Sequence, residues 1–228
     1  MKSPSPTYVT VNNVHTVVEA ARKSSYQKVL NSSALALADG RPLSLVGRMS
    51  GVRRVIRIFG PTFMEKALDW GQDVGLRHFF YGSSNETLDE MKTQMLRRYP
   101  RIMIAGMISP PYRQLSHEEN DAYLRQINAS CPDIIWVGLG APKQEIWMSE
   151  NFQKLNRGVM IGIGAGFDYI AGNLRHAPQW MKDYSLEWLF RLLQEPRRLW
   201  KRYLVTNTLF VWYVALQLLG LRRFESEK

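Results

Sequence analysis

The chain has 228 residues, 45% of them hydrophobic, and its formal net charge is +10. This length suits one globular domain with an appendage. The single cysteine excludes an internal disulfide framework and indicates a reducing compartment. The positive charge is compatible with three kinds of partner, namely a nucleic acid, an anionic membrane surface or a phosphorylated substrate. No apolar run occurs in the first twelve residues, so we expect no secretory signal.

Strand-like and helix-like patterns alternate through residue 166. In the first part of the chain we predict a strand at 8–11, helical spacing over 14–30, a strand at 35–38, an ambiguous segment at 42–51 that is compatible with a loop, and a strand or the lead into a helix at 55–59. In the second part we predict a helix at 62–74, a strand at 77–81, a helix to 98, a strand at 101–106, a helix to 128, a strand at 133–137, a helix after 142 and a strand at 159–163. This alternation predicts an α/β fold with a doubly wound, mostly parallel, Rossmann-like sheet.

Two serines are predicted to begin helices through capping boxes. Ser83 precedes Glu86 by three residues, and Ser116 precedes Glu119 by three. A capping box satisfies two backbone N–H groups that the first turn of a helix leaves without partners. We therefore expect one helix to begin after the glycine turn at Gly82 and another to begin near His117.

Beyond Gly172 the pattern changes to helices alone, predicted at 178–195 and 196–203 and followed by an apolar tail. We therefore predict a Rossmann-like domain at 1–172 and a helical appendage at 173–228. The tail is slightly short for a spanning helix, which needs about 20 apolar residues. Its flanking basic residues favour a helix that lies in the membrane interface. The alternative is a helix packed on the domain or in an oligomer, and self-association is a further expectation.

The stretch 133–147 combines a buried strand, a glycine turn and the start of a helix. Gly138 and Gly140 follow four apolar residues, and Lys143, Gln144 and Glu145 crowd the first helical turn. Backbone N–H groups and the helix dipole make such a turn suitable for an anion. An ordinary tight turn explains the two glycines equally well, since the third glycine of a dinucleotide fingerprint is missing.

Several polar or small residues fall where predicted strands end. In a parallel sheet these ends share one edge, where ligands bind. Each residue also has a structural explanation, such as a helix cap or a turn, but together they predict a polar cleft. The residues are Thr10, Asn12, Asp39, Gly82, Tyr112, Gln144 and Asp168.

No cofactor or metal site is predicted. The four histidines are scattered, and none is spaced with another histidine or cysteine as metal ligands are. The sequence also lacks an Asp-x-Asp pair that would hold a divalent ion beside a diphosphate.

Six blocks of sequence resemble the WecG/TagA/CpsF glycosyltransferase family of bacterial envelope polysaccharide synthesis, over roughly residues 8–204. The last block and the Pro-Lys-Gln-Glu segment are highly specific in combination. The blocks are Ala38-Asp-Gly40, Ile127-Asn-Ala-Ser130, Val137-Gly-Leu-Gly-Ala-Pro-Lys-Gln-Glu145, Gly162-Ile-Gly-Ala-Gly-Phe-Asp168, Arg175-His-Ala-Pro178 and Leu186-Glu-Trp-Leu-Phe-Arg-Leu-Leu-Gln-Glu-Pro-Arg-Arg198.

This resemblance implies a metal-independent, inverting hexosyltransferase that uses a UDP-sugar as donor. The acceptor would be a sugar on a polyprenyl diphosphate, used for envelope polysaccharide or exopolysaccharide. The enzyme would be a peripheral protein on the cytoplasmic face of the bacterial inner membrane, bound to its anionic lipids. The donor sugar stays open among N-acetylmannosamine, its uronic acid and glucose.

The resemblance also assigns roles to individual residues. Asp39 matches the catalytic base. The donor site would comprise Thr10, Asn12, Gly82, Tyr112, Gly138, Gly140, Gln144 and Asp168, and the acceptor diphosphate or membrane would meet Arg191, Arg198, Lys201 and Arg202.

The sequence departs from the family pattern in three places. Family members usually carry an additional N-terminal strand and helix, the segment 109–113 replaces a more usual Gly-Tyr-Phe pattern, and the arginine-rich stretch 48–57 differs. Two rival functions stay open. One is a non-catalytic, membrane-docked nucleotide-binding module. The other is a nucleic-acid binder, which is the weaker rival because the chain has no recognisable reading motif, and we expect no nucleic-acid partner.

Overall fold

The computed structural model describes residues 5–52 and 55–221. Its strands are β1 (Thr7–Asn12), β2 (Leu35–Asp39), β3 (Arg57–Ile58), β4 (Arg77–Gly82), β5 (Met103–Ile108), β6 (Ile134–Gly138) and β7 (Val159–Gly162). Its helices are α1 (Val14–Arg22), α2 (Ser24–Asn31), α3 (Arg41–Met49), α4 (Gly60–Val74), α5 (Asn85–Arg98), α6 (His117–Ala129), α7 (Lys143–Asn151), α8 (Gly166–Ala171), α9 (Gln179–Asp183), α10 (Glu187–Gln194) and α11 (Pro196–Leu218).

The strands form one sheet in the order β3-β2-β1-β7-β6-β4-β5, with parallel pairing. The chain first builds outward from β1 through β2 to β3, and then adds β4 to β7 on the other side of β1. A parallel connection needs a crossover, which the helices between the strands supply. The doubly wound, parallel α/β fold expected from the alternating pattern is therefore confirmed.

The central strands are buried on both faces because helices cover each face. Residues at alternate positions point to opposite faces. Tyr81 and Val137 pack with Met148 of α7 and Ile127 of α6 in one cluster. On the other face, the ring of Phe80 lies edge-on to that of Phe167, with centroids 6.0 Å apart. This burial explains why these strands read as continuous apolar runs.

Some local expectations were wrong or needed refinement. Ser84, not Ser83, caps α5, because its hydroxyl accepts the backbone N–H of Thr87 at 3.3 Å. Ser83 instead adopts a positive φ of 61°, which completes the turn after β4. The capping box of Ser116 and Glu119 is confirmed. The ambiguous segment at 42–51 is mostly helical, since α3 begins at Arg41 with proline in its first turn.

The C-terminal region differs from the predicted pair of helices and tail. The segment 178–195 holds two helices, α9 and α10, with Ser185 between them at a φ of 63°. The segment after Pro196 continues through the apolar tail as the single helix α11. Within the described residues, no helix has the length and apolar character needed to cross a bilayer.

The chain divides into two compact units. The first holds residues 1–11, 33–35 and 60–174, and the second holds 12–32, 36–59 and 175–228. In the second unit α11 packs on α1 and α10. Arg57 joins β3 to the helices there, since its guanidinium pairs with Glu187 and donates to the carbonyl of Lys182 at 3.1 Å. The boundary at 172 and 173 stays a prediction.

Candidate functional site

The turns after β4 and β6 approach so closely that only glycine fits. A Cβ atom at Gly82 would lie 2.5 Å from the carbonyl carbon of Gly138. The backbone N–H of Ser83 donates to the Gly138 carbonyl at 3.2 Å, and Ser109 after β5 donates its hydroxyl to the Ser83 carbonyl at 2.7 Å. The ends of the neighbouring strands β6, β4 and β5 are thus joined at one edge of the sheet.

The side chain of Gln144 connects this edge to the turn after β7. Its Oε1 accepts the backbone N–H groups of Gly140 at 3.2 Å and Gly164 at 3.0 Å. Its Nε2 donates to Oε1 of Glu145 at 2.7 Å. Both side chains are buried, with 3% of Gln144 and 0% of Glu145 exposed. The amide of Gln144 therefore holds together the turn after β6 and the turn after β7.

The first turn of α7 has fewer open backbone donors than the sequence suggested. The N–H of Gln144 donates to the carbonyl of Gly140 at 3.0 Å, and the Gly140 N–H is held by Gln144. Pro142 has no N–H to offer. Lys143 is exposed at the start of the helix and supplies a positive charge there.

Tyr112 and Asp168 follow β5 and β7 in different environments. The Tyr112 side chain is 86% exposed. The next residue, Arg113, anchors its loop by a two-pronged pair with Glu119 at 2.6 and 2.7 Å, and this pairing lowers the pKa of Glu119 to about 2. Asp168 is half-buried in the first turn of α8.

The side chains at the end of β1 are buried. Thr10 is 0% exposed, and its hydroxyl lies 3.3 Å from that of Ser33. Asn12, which ends the strand, is 7% exposed. Neither residue caps the following helix, because Asn13 does so in a capping box with Thr16.

In the second unit, Asp39 ends β2. It lies opposite Ile58 in the register with β3 and is half-buried. Gly40 follows at a φ of 90°, a conformation that favours glycine, and its N–H donates to the Ile58 carbonyl at 3.4 Å. The sharp turn into α3 leaves Asp39 at the end of the strand, where the predicted base was expected.

The predicted acceptor-binding arginines share one carboxylate. Glu195 pairs with Arg191 at 2.5 Å and with Arg198 at 2.8 Å. Arg191 is buried, whereas Arg198 is exposed. Lys201 and Arg202 are exposed on α11. Their cationic groups lie 5.4 Å from the Trp200 ring centroid and 5.5 Å from that of Tyr203, respectively.

Glu145 lies in this region although no role was predicted for it from the sequence. A glutamate in the first turn of a helix is usually solvated and favoured by the helix dipole, so its position alone did not predict burial. The available signal was its place directly after Gln144 and before the apolar residues Ile146 and Trp147. Across residues 5–52 and 55–221, no three His, Cys, Asp or Glu side chains are grouped as metal ligands.

Comparison with known proteins places this sequence in a family. Residues 1–224 match the model of the glycosyl transferase WecG/TagA/CpsF family. The chain is 32% identical over 197 residues to the N-acetylglucosaminyldiphosphoundecaprenol N-acetyl-beta-D-mannosaminyltransferase of Bacillus spizizenii, covering 86% of this chain and 74% of that protein. Proteins with the same name in Bacillus subtilis and Staphylococcus aureus are 32% identical over 185 residues and 26% identical over 195 residues. The shared segments cover 81% of this chain and 70% of the B. subtilis protein, and 86% of this chain and 73% of the S. aureus protein.

Proposed function

Because the chain belongs to the WecG/TagA/CpsF family of glycosyl transferases, we propose that it transfers an N-acetylmannosamine-type sugar from a UDP-sugar. The acceptor is an N-acetylglucosamine-type sugar on a polyprenyl diphosphate, for envelope polysaccharide. The similarity to the mannosaminyltransferases carries this proposal, since it extends over most of the chain at 32% identity. Their names supply the transferred sugar and the lipid-linked acceptor.

The donor binds at the edge of the first unit formed by the ends of β4 to β7. At Gly140 a Cβ atom would meet nothing within 4 Å, so a nucleotide diphosphate can approach the backbone closely there. Lys143 and the N-terminus of α7 favour a negative charge there. The exposed ring of Tyr112 is available to stack on the uracil base.

Asp39 is the general base for the transfer. Its carboxylate takes the proton from the acceptor hydroxyl as that oxygen attacks the anomeric carbon. The bond from this carbon to the UDP oxygen breaks at the same time, and UDP leaves with the electron pair. Attack from the face opposite UDP inverts the anomeric centre. A positioned base supplies about 10²–10⁴-fold of rate acceleration.

The second unit brings the protein to the lipid-linked acceptor at the cytoplasmic face of the membrane. Helix α11 exposes Trp200, Leu204, Val211 and Trp212 while carrying Lys201 and Arg202. Apolar and basic side chains on one helix suit the interface of an anionic bilayer. Exposed cations also suit the acceptor diphosphate.

A screen for UDP release tests the proposed function. The full chain is incubated with UDP-N-acetylmannosamine, UDP-N-acetylmannosaminuronic acid, UDP-glucose or UDP-N-acetylglucosamine. Each donor is tested with and without a short-chain N-acetylglucosaminyl diphospholipid. We expect release only with the first donor and only with the acceptor, with product of inverted configuration and equal rates in a chelator. UDP binding without acceptor-dependent release from any donor would indicate a non-catalytic nucleotide-binding module instead.

A further inference from the structure

The amide of Gln144 makes three hydrogen bonds that fix its orientation. Two backbone N–H groups, from Gly140 and Gly164, require an acceptor, and the carboxylate oxygen of Glu145 requires a donor. Only one orientation of the amide meets all three demands. In that orientation Oε1 lies between the turn after β6 and the turn after β7, while Nε2 faces Glu145.

Glu145 is what prevents the amide from turning over. The last torsion of a glutamine side chain is broad, so packing alone restrains it weakly. A flipped amide would bring Nε2 toward two N–H donors and Oε1 toward a carboxylate, which would break all three bonds. Each lost bond to a charged or buried group is costly, because water cannot replace it in the interior.

The surrounding glycines leave room for this arrangement. A Cβ atom at Gly162, the last residue of β7, would lie 3.1 Å from Nε2 of Gln144 and 2.8 Å from the Met148 side chain. Gly140 and Gly164 have φ values of 79° and 52°, which favour glycine. The Gln144 amide therefore lies where backbone N–H groups of both turns can donate to its single oxygen atom, Oε1.

We propose that Gln144 and Glu145 are positioning residues that set the shape of the two glycine turns to which the donor diphosphate binds. This inference rests on the proposed donor site. Gln144 acts on the donor through the turns, and Glu145 acts through Gln144. The low exposure of both side chains, 3% and 0%, supports an indirect role for each.

Exchanging the two residues tests this assignment. In Gln144→Glu, a protonated carboxyl at 144 can accept both N–H groups and donate to Glu145. A deprotonated one puts two buried carboxylates side by side, which is strongly unfavourable. Titration calorimetry at about pH 6 and about pH 8.5 should therefore show UDP affinity that falls about tenfold or more with rising pH, relative to the wild type at the same pH.

The double variant Gln144→Glu/Glu145→Gln restores the original pattern with donor and acceptor exchanged. Its carboxylate at 144 accepts the two backbone N–H groups and also the amide of the new glutamine. We expect its UDP affinity to return to within about threefold of the wild type and to lose the extra pH dependence. The single variant Glu145→Gln, which keeps an acceptor for Nε2, should retain affinity, whereas Glu145→Leu should not.

The backbone amide protons of Gly140 and Gly164 report whether the Gln144 side chain accepts their hydrogen bonds, and this measurement needs no ligand. Their NMR signals and exchange rates should change in Gln144→Glu at about pH 8.5 and recover in the double variant. An equal, pH-independent loss of UDP affinity in the single and double variants, with unchanged glycine signals, would overturn the proposal and assign Gln144 a direct ligand contact. A wild-type protein that binds no UDP while the glycine signals respond as expected would instead refute the proposed donor site.

Discussion

The indole Nε1 of Trp136 on β6 donates a hydrogen bond to Nδ1 of His78 on the neighbouring strand β4 at 3.2 Å, and both side chains are fully buried. The bond requires a neutral ring that carries its proton on Nε2. That Nε2 is buried and has no hydrogen-bond partner among the described residues. Burial lowers the pKa of His78 from 6.5 to about 4, although the negative charge of Asp133 acts in the opposite direction.

We expect this histidine to make folding stability depend on pH. Its folded pKa lies below its unfolded pKa, so the unfolded chain binds more protons between pH 4 and 6.5. The stabilisation is present above pH 6.5 and is lost as the pH falls toward 4, by roughly 3 kcal/mol in all. Urea unfolding at several pH values measures this slope.

A conservative variant distinguishes the contribution of His78 to the pH dependence of stability from that of other groups that titrate at acidic pH. In His78→Asn, the amide oxygen can accept the indole N–H of Trp136, and the site can no longer be protonated near neutral pH. The unfolding free energy should then change less between pH 6.5 and 4 than in the wild type. The exposed His117→Asn is the control and should keep the wild-type slope. Equal slopes in all three proteins would contradict the prediction.

Much of the fold could be predicted because its signals are local. The strand 134–138 is buried on both faces, so an unbroken apolar run marks it, and the glycines that follow mark its turn. The capping box of Ser116 and Glu119 lies within one turn of helix and needs no tertiary contact. Such features depend on neighbouring residues alone, and they were confirmed.

The features that could not be predicted depend on contacts between residues distant in sequence, or on a displacement of a helix start by one residue. The hydrogen bond between Gln144 and Gly164 joins two turns twenty positions apart, and no pattern in the sequence near Gln144 predicts it. Ser83 and Ser84 are the same residue type, so the local sequence did not show that the second one caps the helix. Ser83 instead has a positive φ and donates its N–H to the carbonyl of Gly138, a residue distant in sequence. The site residues themselves stay predictions until they are tested with ligands.

Asp39→Asn should abolish most transfer without removing donor binding. Asparagine has nearly the same shape but cannot take the proton from the acceptor hydroxyl, so we expect the turnover rate to fall about 10²–10⁴-fold. The dissociation constant for UDP should change little, because the proposed donor site is formed by other residues. Steady-state rates and calorimetry on the same preparations give both quantities.

Asp73→Asn is the matched control for that variant. Asp73 is 68% exposed and pairs with Arg101 on the surface of the first unit, where an ion pair contributes little to stability. It should transfer sugar at the wild-type rate. Turnover of Asp39→Asn equal to that of this control would remove Asp39 as the base.

The two arginines that pair with Glu195 should respond differently to alanine. Arg198 is 57% exposed at its side chain, so its pair is weak and can exchange for an acceptor diphosphate. Arg198→Ala should raise KM for the lipid acceptor about tenfold, since a charge-assisted hydrogen bond is lost. Arg191 is 10% exposed, and its loss should lower the melting temperature instead.

Steady-state kinetics and thermal melts distinguish these two effects. The exposed Arg97→Ala on α5 removes a cation of the same kind from the first unit and should change neither quantity. An unchanged acceptor KM in Arg198→Ala would argue against a diphosphate contact. A KM for the UDP-sugar that rises together with the acceptor KM would place Arg198 in the donor site.

Trp212→Glu should weaken membrane binding while leaving the fold intact. The side chain of Trp212 is 59% exposed on α11, so a charge there costs the protein little but opposes burial in the bilayer interface. We expect cosedimentation with vesicles containing anionic lipid to fall several-fold, and wild-type binding to weaken with added salt because basic residues contribute. Trp70→Glu replaces a tryptophan that is 65% exposed on α4 in the first unit and should bind like the wild type. Equal losses in both variants, or none in either, would show that α11 does not make the membrane contact.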